Sequence, residues 1–199
     1  MPMEASESPM INDFDPNNFL ASLFGTAKAV LLSPRPFYEG MKTQGGFRNP
    51  LMFLVCCVVV HSLLAGLVLQ NPGLIAYNIL FGIVQPFLTS AFLFLFITQF
   101  FKGSGTYEAA FRVNAYAGAV SLFSWIPSIG AVLGFSGIVL VGRLLMLYQV
   151  YLIVVGVSCT FSTKAFRALL AVLMTIFMYM LLSGAIHHIT GGRWPGAPS

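Results

Sequence analysis

The sequence predicts an all-α integral membrane protein, a bundle of five transmembrane helices preceded by an N-terminal interfacial amphipathic helix. Two observations support this fold class. Charged residues make up only 8% of the 199 residues, against about 25% in soluble domains. In addition, long apolar stretches follow one another, and a stretch of about 18 or more apolar residues is long enough to cross a bilayer. The stretches are Leu51–Leu69, Leu74–Phe101, Val113–Ile126, Ile138–Phe161 and Ala168–Ile186.

The chain ahead of the first stretch divides into a tail and a helix. Residues 1–18 are polar, and the first twelve of them lack any periodicity, which predicts a disordered tail. Asp15-Pro16 predicts the start of a helix, with Asp15 as the N-cap and Pro16 at the first helical position. Ser33-Pro34 predicts its end, because proline cannot continue the helical hydrogen bonds.

Residues 19–32 form the predicted amphipathic helix. Their apolar side chains recur at the spacing of one helical face, and the segment is too short to span a bilayer. We expect it to lie in the membrane interface or against the cytoplasmic side of the bundle. A soluble helix that binds a partner is the alternative. The residues expected to form its interaction surface are Phe19, Leu20, Leu23, Phe24, Val30 and Leu31.

Residues 33–189 form the predicted transmembrane domain, and residues 190–199 form a short tail outside. Gln85-Pro86 in the second stretch predicts a tilted or kinked helix. Trp125, at the end of the third stretch, suits the membrane interface. Residues 128–137 are apolar and rich in glycine, so the sequence permits either a re-entrant loop or a slack turn there.

Lysine and arginine residues predict the orientation. Cytoplasmic loops carry an excess of these residues, and eight of the ten lie on one side if the five helices alternate. This distribution predicts a cytoplasmic N-terminus and an outside C-terminus. It also accounts for the net charge of +4, so the charge does not indicate a nucleic-acid partner. The eight are Lys28, Arg35, Lys42, Arg48, Lys102, Arg112, Lys164 and Arg167.

The sequence offers no support for an enzyme. It contains no Ser-His-Asp order, HExxH motif, P-loop, GxGxxG motif or paired carboxylates. Cys56, Cys57 and Cys159 are expected to be small buried hydrophobic residues rather than a disulfide or redox pair. His187-His188 is a weak metal signal, because neighbouring side chains on a helix diverge by about 100°. We therefore expect neither catalysis nor a bound metal or other cofactor.

Arg143 is the sharpest candidate for a functional site. It lies roughly 8 Å by helical rise inside the outer end of the fourth stretch. All six acidic residues lie in the N-terminal tail or the cytoplasmic connectors, so Arg143 has no carboxylate side chain on its own side. One interpretation is a site for an anion or a lipid headgroup. The other is an arginine whose long side chain reaches the headgroup region.

Polar residues inside the spans form a second candidate site. Such residues are costly in hydrocarbon, which makes each of them a functional candidate. Either they converge on one polar track, or each hydrogen-bonds to a neighbouring helix. For His61 the alternatives are a neutral histidine bonded within the bundle and a proton relay or metal ligand. The candidate track consists of His61, Gln85, Thr89, Asn114, Tyr116, Tyr148 and Gln149.

Short motifs stand at fixed places between the stretches. They are SPRPFY at 33–38, GFRNP at 46–50, GTYE at 105–108 with Phe111-Arg112 and Tyr116, WIPSIG at 125–130 and STKAFRA at 162–168. In this order and spacing they resemble the Yip domain family (Ypt/Rab-interacting-protein membrane domains), specifically its bacterial branch. The resemblance implies a five-helix fold with a cytoplasmic N-terminus, located in a bacterial inner membrane.

Eukaryotic members of that family are linked to prenylated Rab GTPases and to vesicle traffic or membrane shaping between the ER and the Golgi. Their cytoplasmic segment before the first span has an acidic motif similar to Asp-Leu-Tyr-Gly. This sequence has Ser33–Tyr38 in that place and no such motif, so the sequence leaves open whether the link to GTPases applies to it.

The leading hypothesis is a non-enzymatic scaffold that organises membrane partners or lipids, with residues 19–32 and the cytoplasmic loops as its interaction surface. The alternative is a small transporter, channel or lipid-handling protein with an anion or headgroup site near Arg143. The expected partners are the lipid bilayer and other membrane or peripheral proteins. The sequence leaves the oligomeric state open.

Overall fold

The computed structural model describes residues 13–189, except the side chains of residues 136, 139, 187 and 189. All regular elements in this range are helical. The α-helices are α1 (Phe19–Leu32), α2 (Pro34–Glu39), α3 (Arg48–Val68), α4 (Pro72–Leu95), α5 (Tyr107–Ala117), α6 (Ile126–Leu133), α7 (Ser136–Thr160) and α8 (Ala165–Ile189). A 3₁₀ turn, Pro16–Asn18, precedes α1, and a second one, Gly118–Phe123, follows α5.

Five helical segments within the described range are long and apolar enough to cross a membrane, which confirms the predicted fold class. The short helix α1 precedes them, as expected. The segments are Arg48–Val68, Pro72–Phe100, Tyr107–Leu133, Leu140–Thr160 and Ala165–Ile186.

The third span is composite and begins earlier than predicted. It consists of α5, the 3₁₀ turn and α6, and it starts at Tyr107 rather than Val113. The apolar pattern did not place residues 107–112 in the span, because the charged residues Glu108 and Arg112 lie among them. These two side chains pair across one helical turn, with Arg112 Nε 3.1 Å from Glu108 Oε1, so the charges do not end the span.

Residues 128–137 contain the end of α6, a tight turn and the start of α7. α6 ends where Gly134 adopts a φ of 68°, the left-handed conformation that commonly stops helices. The chain then enters α7 and runs back along α6. The two helices approach closely because glycine lies at their contact: a Cβ on Gly130 would be 2.7 Å from Ile138 Cβ, and one on Gly142 would be 2.9 Å from Pro127 Cγ.

The second span continues through its proline. Two hydroxyl groups donate to the carbonyls beside Pro86: Ser90 Oγ bonds to Pro86 O at 2.5 Å and Thr89 Oγ1 to Gln85 O at 3.0 Å. The irregular part of this span lies further along, where a π-helical turn, Phe96–Phe100, extends α4.

From Asp13 onward the N-terminal segment is packed on the bundle; residues 1–12, for which the sequence predicts disorder, lie outside the described range. Phe14 is 1% exposed and its ring lies against those of Phe19 and Phe53. Asp15 accepts a hydrogen bond from Asn17 N at 2.9 Å and caps the first turn. The predicted helix start at Asp15-Pro16 is therefore confirmed, as a 3₁₀ turn that leads into α1.

α1 and α2 are anchored on the spans by tyrosine hydroxyls. Tyr148 of α7 donates to the carbonyl of Leu31 at the end of α1. Tyr38 of α2 is buried and donates to Val113 O at 3.4 Å. Burial raises the pKa of Tyr38 above its ordinary value, so this hydroxyl stays protonated and keeps its donor role.

Three connecting loops meet at one end of the bundle. Gly46 N, in the loop before α3, donates to Glu108 Oε1 of α5 at 2.7 Å. A Cβ on Gly105, in the loop before α5, would be 2.4 Å from the ring of Phe161, in the loop after α7. Exposed lysine and arginine residues surround these loops, and we call this end the basic end. Its exposed bases are Arg35, Lys42, Arg48, Lys102, Lys164 and Arg167.

Candidate functional site

A cavity of about 640 Å³ lies among the five spans. Residues of α3, α4, α7 and α8 line it, together with α5 and the 3₁₀ turn of the third span. We call it the central cavity. Its polar lining residues are His61, Tyr77, Asn78, Gln85, Thr89, Asn114, Ser121, Ser124, Gln149, Thr175 and Tyr179. None of the lining residues that the structure describes is an aspartate, glutamate, lysine or arginine.

The candidate polar track divides between the central cavity and other parts of the bundle. The cavity lining includes His61, Gln85, Thr89, Asn114 and Gln149. The two tyrosines lie elsewhere, because their hydroxyls bind the N-terminal segment. Tyr116 donates to Asp13 Oδ1, and Tyr148 donates to Leu31 O.

Several polar groups of the cavity are already bonded within the bundle. Asn114 Nδ2 donates to Ser90 Oγ at 2.9 Å and to Ala110 O at 3.2 Å. Thr175 Oγ1 donates to Ala171 O at 2.8 Å, and Ser124 Oγ donates to Val120 O at 3.2 Å. Each of these hydroxyls donates its only proton to a carbonyl of its own helix, so it can only accept a further hydrogen bond.

Several other polar groups of the cavity have no partner among the described residues. His61 Nδ1 and Ser121 Oγ are buried atoms without a hydrogen bond. The side-chain amides of Gln85 and Gln149 also make no hydrogen bond within the described range, although each offers two donors and an acceptor. Unsatisfied polar groups in a membrane interior are costly, so this part of the lining is suited to a polar occupant.

A second polar cluster, the Arg112 network, lies at the basic end. Arg112 is completely buried. Its Nη1 lies 3.1 Å from Asp13 Oδ2 and its Nε 3.1 Å from Glu108 Oε1, while Nη2 donates to Gly46 O at 2.8 Å. Each nitrogen of the guanidinium thus has one acceptor, as a buried charge requires.

Glycine permits the approach of the loop to Arg112. Gly45 has a φ of 143° and Gly46 a φ of 85°, conformations that residues with a Cβ rarely adopt. A Cβ on Gly45 would be 3.1 Å from Arg112 Nη2. Sequence reasoning assigned Arg112 to the orienting bases and missed this network; its only local signal is the Glu108–Arg112 spacing of four residues.

Arg143 lies outside both clusters. Its side chain is exposed and is not part of the cavity lining. It makes no hydrogen bond or ion pair with any described residue. Its neighbours Leu140, Leu144 and Leu147 are exposed as well, so this face of α7 points away from the bundle.

The residues expected to form one interaction surface on α1 lie on two sides of that helix. Leu23 and Val30 are buried against the bundle, and Leu31 is half-buried. Phe19, Leu20 and Phe24 are exposed, as are Lys28 and Leu32. Apolar residues occupy adjacent positions of this helix, so its apolar surface is too wide for the bundle to cover. The helix is therefore apolar both on the side that faces the bundle and on the exposed side.

The Yip1 domain family matches residues 28–187 of this chain. No curated protein and no solved structure matches it. The matched range reaches from the second half of α1 almost to the end of α8, and it contains all five apolar spans. The chain is therefore a multi-pass membrane protein that belongs to the Yip1 domain family.

Proposed function

We propose that this protein is a non-enzymatic organiser of its membrane, which gathers anionic lipids and partner proteins at the basic end. The observation that carries the proposal is a set of exposed bases that have no carboxylate partner among the described residues. They are Lys42, Arg48, Lys102, Lys164 and Arg167. By contrast, Arg112 and Arg35 are paired with acids of the same chain.

Unpaired bases near a membrane surface attract anionic headgroups. Each contributes about 1 kcal/mol when it lies close to a negatively charged leaflet. Arg35 contributes less, because the Glu39 carboxylate lies 2.8 Å from its Nε and offsets its positive charge. Arg35 therefore serves as a control for the unpaired bases.

Native mass spectrometry of the full chain, released from vesicles that contain phosphatidylglycerol and phosphatidylcholine, tests the lipid part. Replacing Lys42, Arg48, Lys164 and Arg167 together by glutamine is expected to lower the retained phosphatidylglycerol at least tenfold, since several contributions of about 1 kcal/mol are lost. Arg35→Gln is expected to retain it. Equal retention by both variants contradicts the proposal.

The exposed side of α1 supports the partner part of the proposal. Leu20, Phe24, Lys28 and Leu32 follow one another at intervals of four residues and are all exposed, so they form one stripe along the helix. A photo-crosslinking amino acid in place of Phe24 is expected to form a discrete protein adduct in native membranes. The same amino acid in place of Leu144, which is exposed on α7, is the control. Adducts to lipid alone at both positions contradict a partner on α1.

The proposal places the basic end in the cytoplasm, in agreement with the excess of lysine and arginine there. Single cysteines at exposed positions of the two ends test the orientation in a chain whose Cys56, Cys57 and Cys159 are replaced by alanine. Gln70→Cys is expected to react with a membrane-impermeant maleimide in intact cells. Lys42→Cys is expected to react only after permeabilisation, and the reverse pattern contradicts the orientation.

A small transporter, channel or lipid-handling protein is the second candidate. The central cavity favours it, since a cavity that all five spans line is the feature this class requires. Arg143 lies outside that cavity, so in this candidate it serves as a headgroup contact on the surface of α7. The expected result for Arg143→Gln is a changed lipid contact at that surface and an unchanged cavity.

A further inference from the structure

The central cavity has the size and position of a ligand site within the bilayer. Its volume of about 640 Å³ falls within the range of small-molecule sites, roughly 300–1,000 Å³. His61, Gln85 and Gln149 each lie near the middle of their helices. These three polar side chains are therefore far from both ends of their spans.

The chemistry of the lining excludes a charged occupant. No described lining residue is an aspartate, glutamate, lysine or arginine, so an ion or phosphate buried there would lack a permanent counter-charge. Yet His61 Nδ1 and Ser121 Oγ are buried without a hydrogen-bond partner among the described residues. The amides of Gln85, which is exposed, and of Gln149, which is half-buried, make no hydrogen bond within the described range either. An occupant that both donates and accepts hydrogen bonds satisfies these groups, whereas a hydrocarbon chain alone leaves them unsatisfied.

The remainder of the lining is apolar and remains accessible from the side. Leu54, Val58 and Leu93 are buried lining residues that can hold hydrocarbon. Met146 of α7 and Met180 of α8 line the cavity and are more than half exposed, so the cavity is not sealed from the bilayer on that side. The unbranched side chain of methionine adapts readily to a flexible occupant.

We propose that the central cavity binds an uncharged lipid whose head carries a hydroxyl group and ester carbonyls, of the diacylglycerol type, which enters from the bilayer between α7 and α8. The hydroxyl both donates and accepts, so it satisfies His61 Nδ1 in either tautomer, while the carbonyls accept from the amides of Gln85 and Gln149. The acyl chains follow the apolar lining. This inference rests on the cavity and is independent of the bases at the basic end.

Photo-crosslinking of the full-length chain in nanodiscs tests the proposal. The probe is a diacylglycerol with a diazirine in one acyl chain, and the adducts are mapped by peptide mass spectrometry. Adducts are expected on the lining segments of α3, α4 and α7. Unlabelled diacylglycerol is expected to compete with the probe at least ten times better than phosphatidic acid does. The phosphatidic acid has the same acyl chains, so the two competitors differ only by the phosphate.

Two glutamine variants of the same span supply a matched pair. Gln85→Leu removes a cavity amide and is expected to reduce labelling of the lining about fivefold, the effect of one hydrogen bond. Gln99→Leu changes an exposed amide outside the lining and is expected to leave labelling unchanged. Gln149→Leu provides a second test on α7 if Gln85→Leu does not fold.

Three results overturn the proposal. Equal competition by phosphatidic acid shows that the cavity accepts a charged headgroup. Equal labelling of the Gln85→Leu and Gln99→Leu variants shows that the amide does not contact the occupant. Adducts confined to outward-facing residues such as Leu144 show that the probe binds only the surrounding lipid layer.

Discussion

The Arg112 network predicts that one carboxylate holds the N-terminal segment on the bundle, and Asp13→Asn tests this. The asparagine keeps an oxygen for Tyr116 and for Phe14 N, which lies 3.2 Å from Asp13 Oδ1. Its amide group replaces the oxygen that faces Arg112 Nη1 at 3.1 Å, so a donor then faces a donor. Arg112 keeps only Glu108 and Gly46 O as acceptors.

The expected magnitude follows from this loss. A hydrogen bond to a charged group contributes about 1.5–3 kcal/mol, and here Arg112 is fully buried while the Asp13 side chain is 17% exposed. We expect the free energy of local opening of residues 13–32 to fall by about 2 kcal/mol, which corresponds to a roughly thirtyfold larger open population. The five spans are expected to stay intact, because each is held by the other helices.

Hydrogen–deuterium exchange of the protein in nanodiscs measures this opening peptide by peptide. Amides of residues 14–32 are expected to exchange about thirty times faster in Asp13→Asn, and those of α3 and α8 at the original rate. Asp15→Asn is the matched control, since Asp15 is exposed and caps only Asn17 N, and asparagine caps as well as aspartate. Equal exchange in the two variants refutes the assigned role of Asp13.

Three further predictions concern packing. Tyr148→Phe removes the hydroxyl that binds Leu31 O and is expected to speed hydrogen–deuterium exchange at the end of α1 about fivefold, the effect of about 1 kcal/mol. Tyr151→Phe, at an exposed position, is expected to leave that exchange unchanged. Equal exchange in the two variants refutes the role of Tyr148 as an anchor. Gly156→Ala places a Cβ 2.6 Å from Val113 Cγ1 and is expected to lower the free energy of unfolding by about 1–3 kcal/mol, measured as a lower Tm in detergent. Gly184→Ala places a Cβ that meets nothing within 4 Å and is expected to maintain or raise the Tm. A lower Tm for both variants contradicts the packing argument. Gly134→Ala forces a Cβ into a φ of 68° and is expected to cost about 1 kcal/mol, while Gly25→Ala, within α1 and with nothing within 4 Å, is expected not to lower the Tm.

The architecture follows from the sequence because a bilayer makes hydropathy decisive. Backbone N–H and C=O groups in hydrocarbon must form hydrogen bonds within the protein. An apolar stretch of sufficient length therefore forms a helix, in which these groups bond to one another. The start of the third span was missed for a local reason. Glu108 and Arg112 interrupt the apolar pattern, yet as an ion pair with a buried arginine they belong inside the span.

The Arg112 network was beyond sequence reasoning because its partners are remote. Asp13 lies 99 residues from Arg112 and Gly46 lies 66 residues away, and Asp13 stands in a segment whose polarity favours a solvent-exposed tail. The candidate polar track could be predicted only in part, for a different reason. Composition locates polar residues along each span, whereas the rotation of each helix about its axis decides which of them face a common space. Gln149 faces the cavity, and its neighbour Tyr148 binds α1 instead.

Arg112 also sets an order of assembly during synthesis. The same guanidinium holds Asp13, before α1, and Gly46, after α2, so α1 and α2 form a loop whose two ends are joined by a residue of the third span. A ribosome must therefore translate the first two spans and the start of the third before this loop can close. Until then α1 and α2 lack this anchor, and the second anchor of α1, the hydroxyl of Tyr148, follows only when α7 has been made.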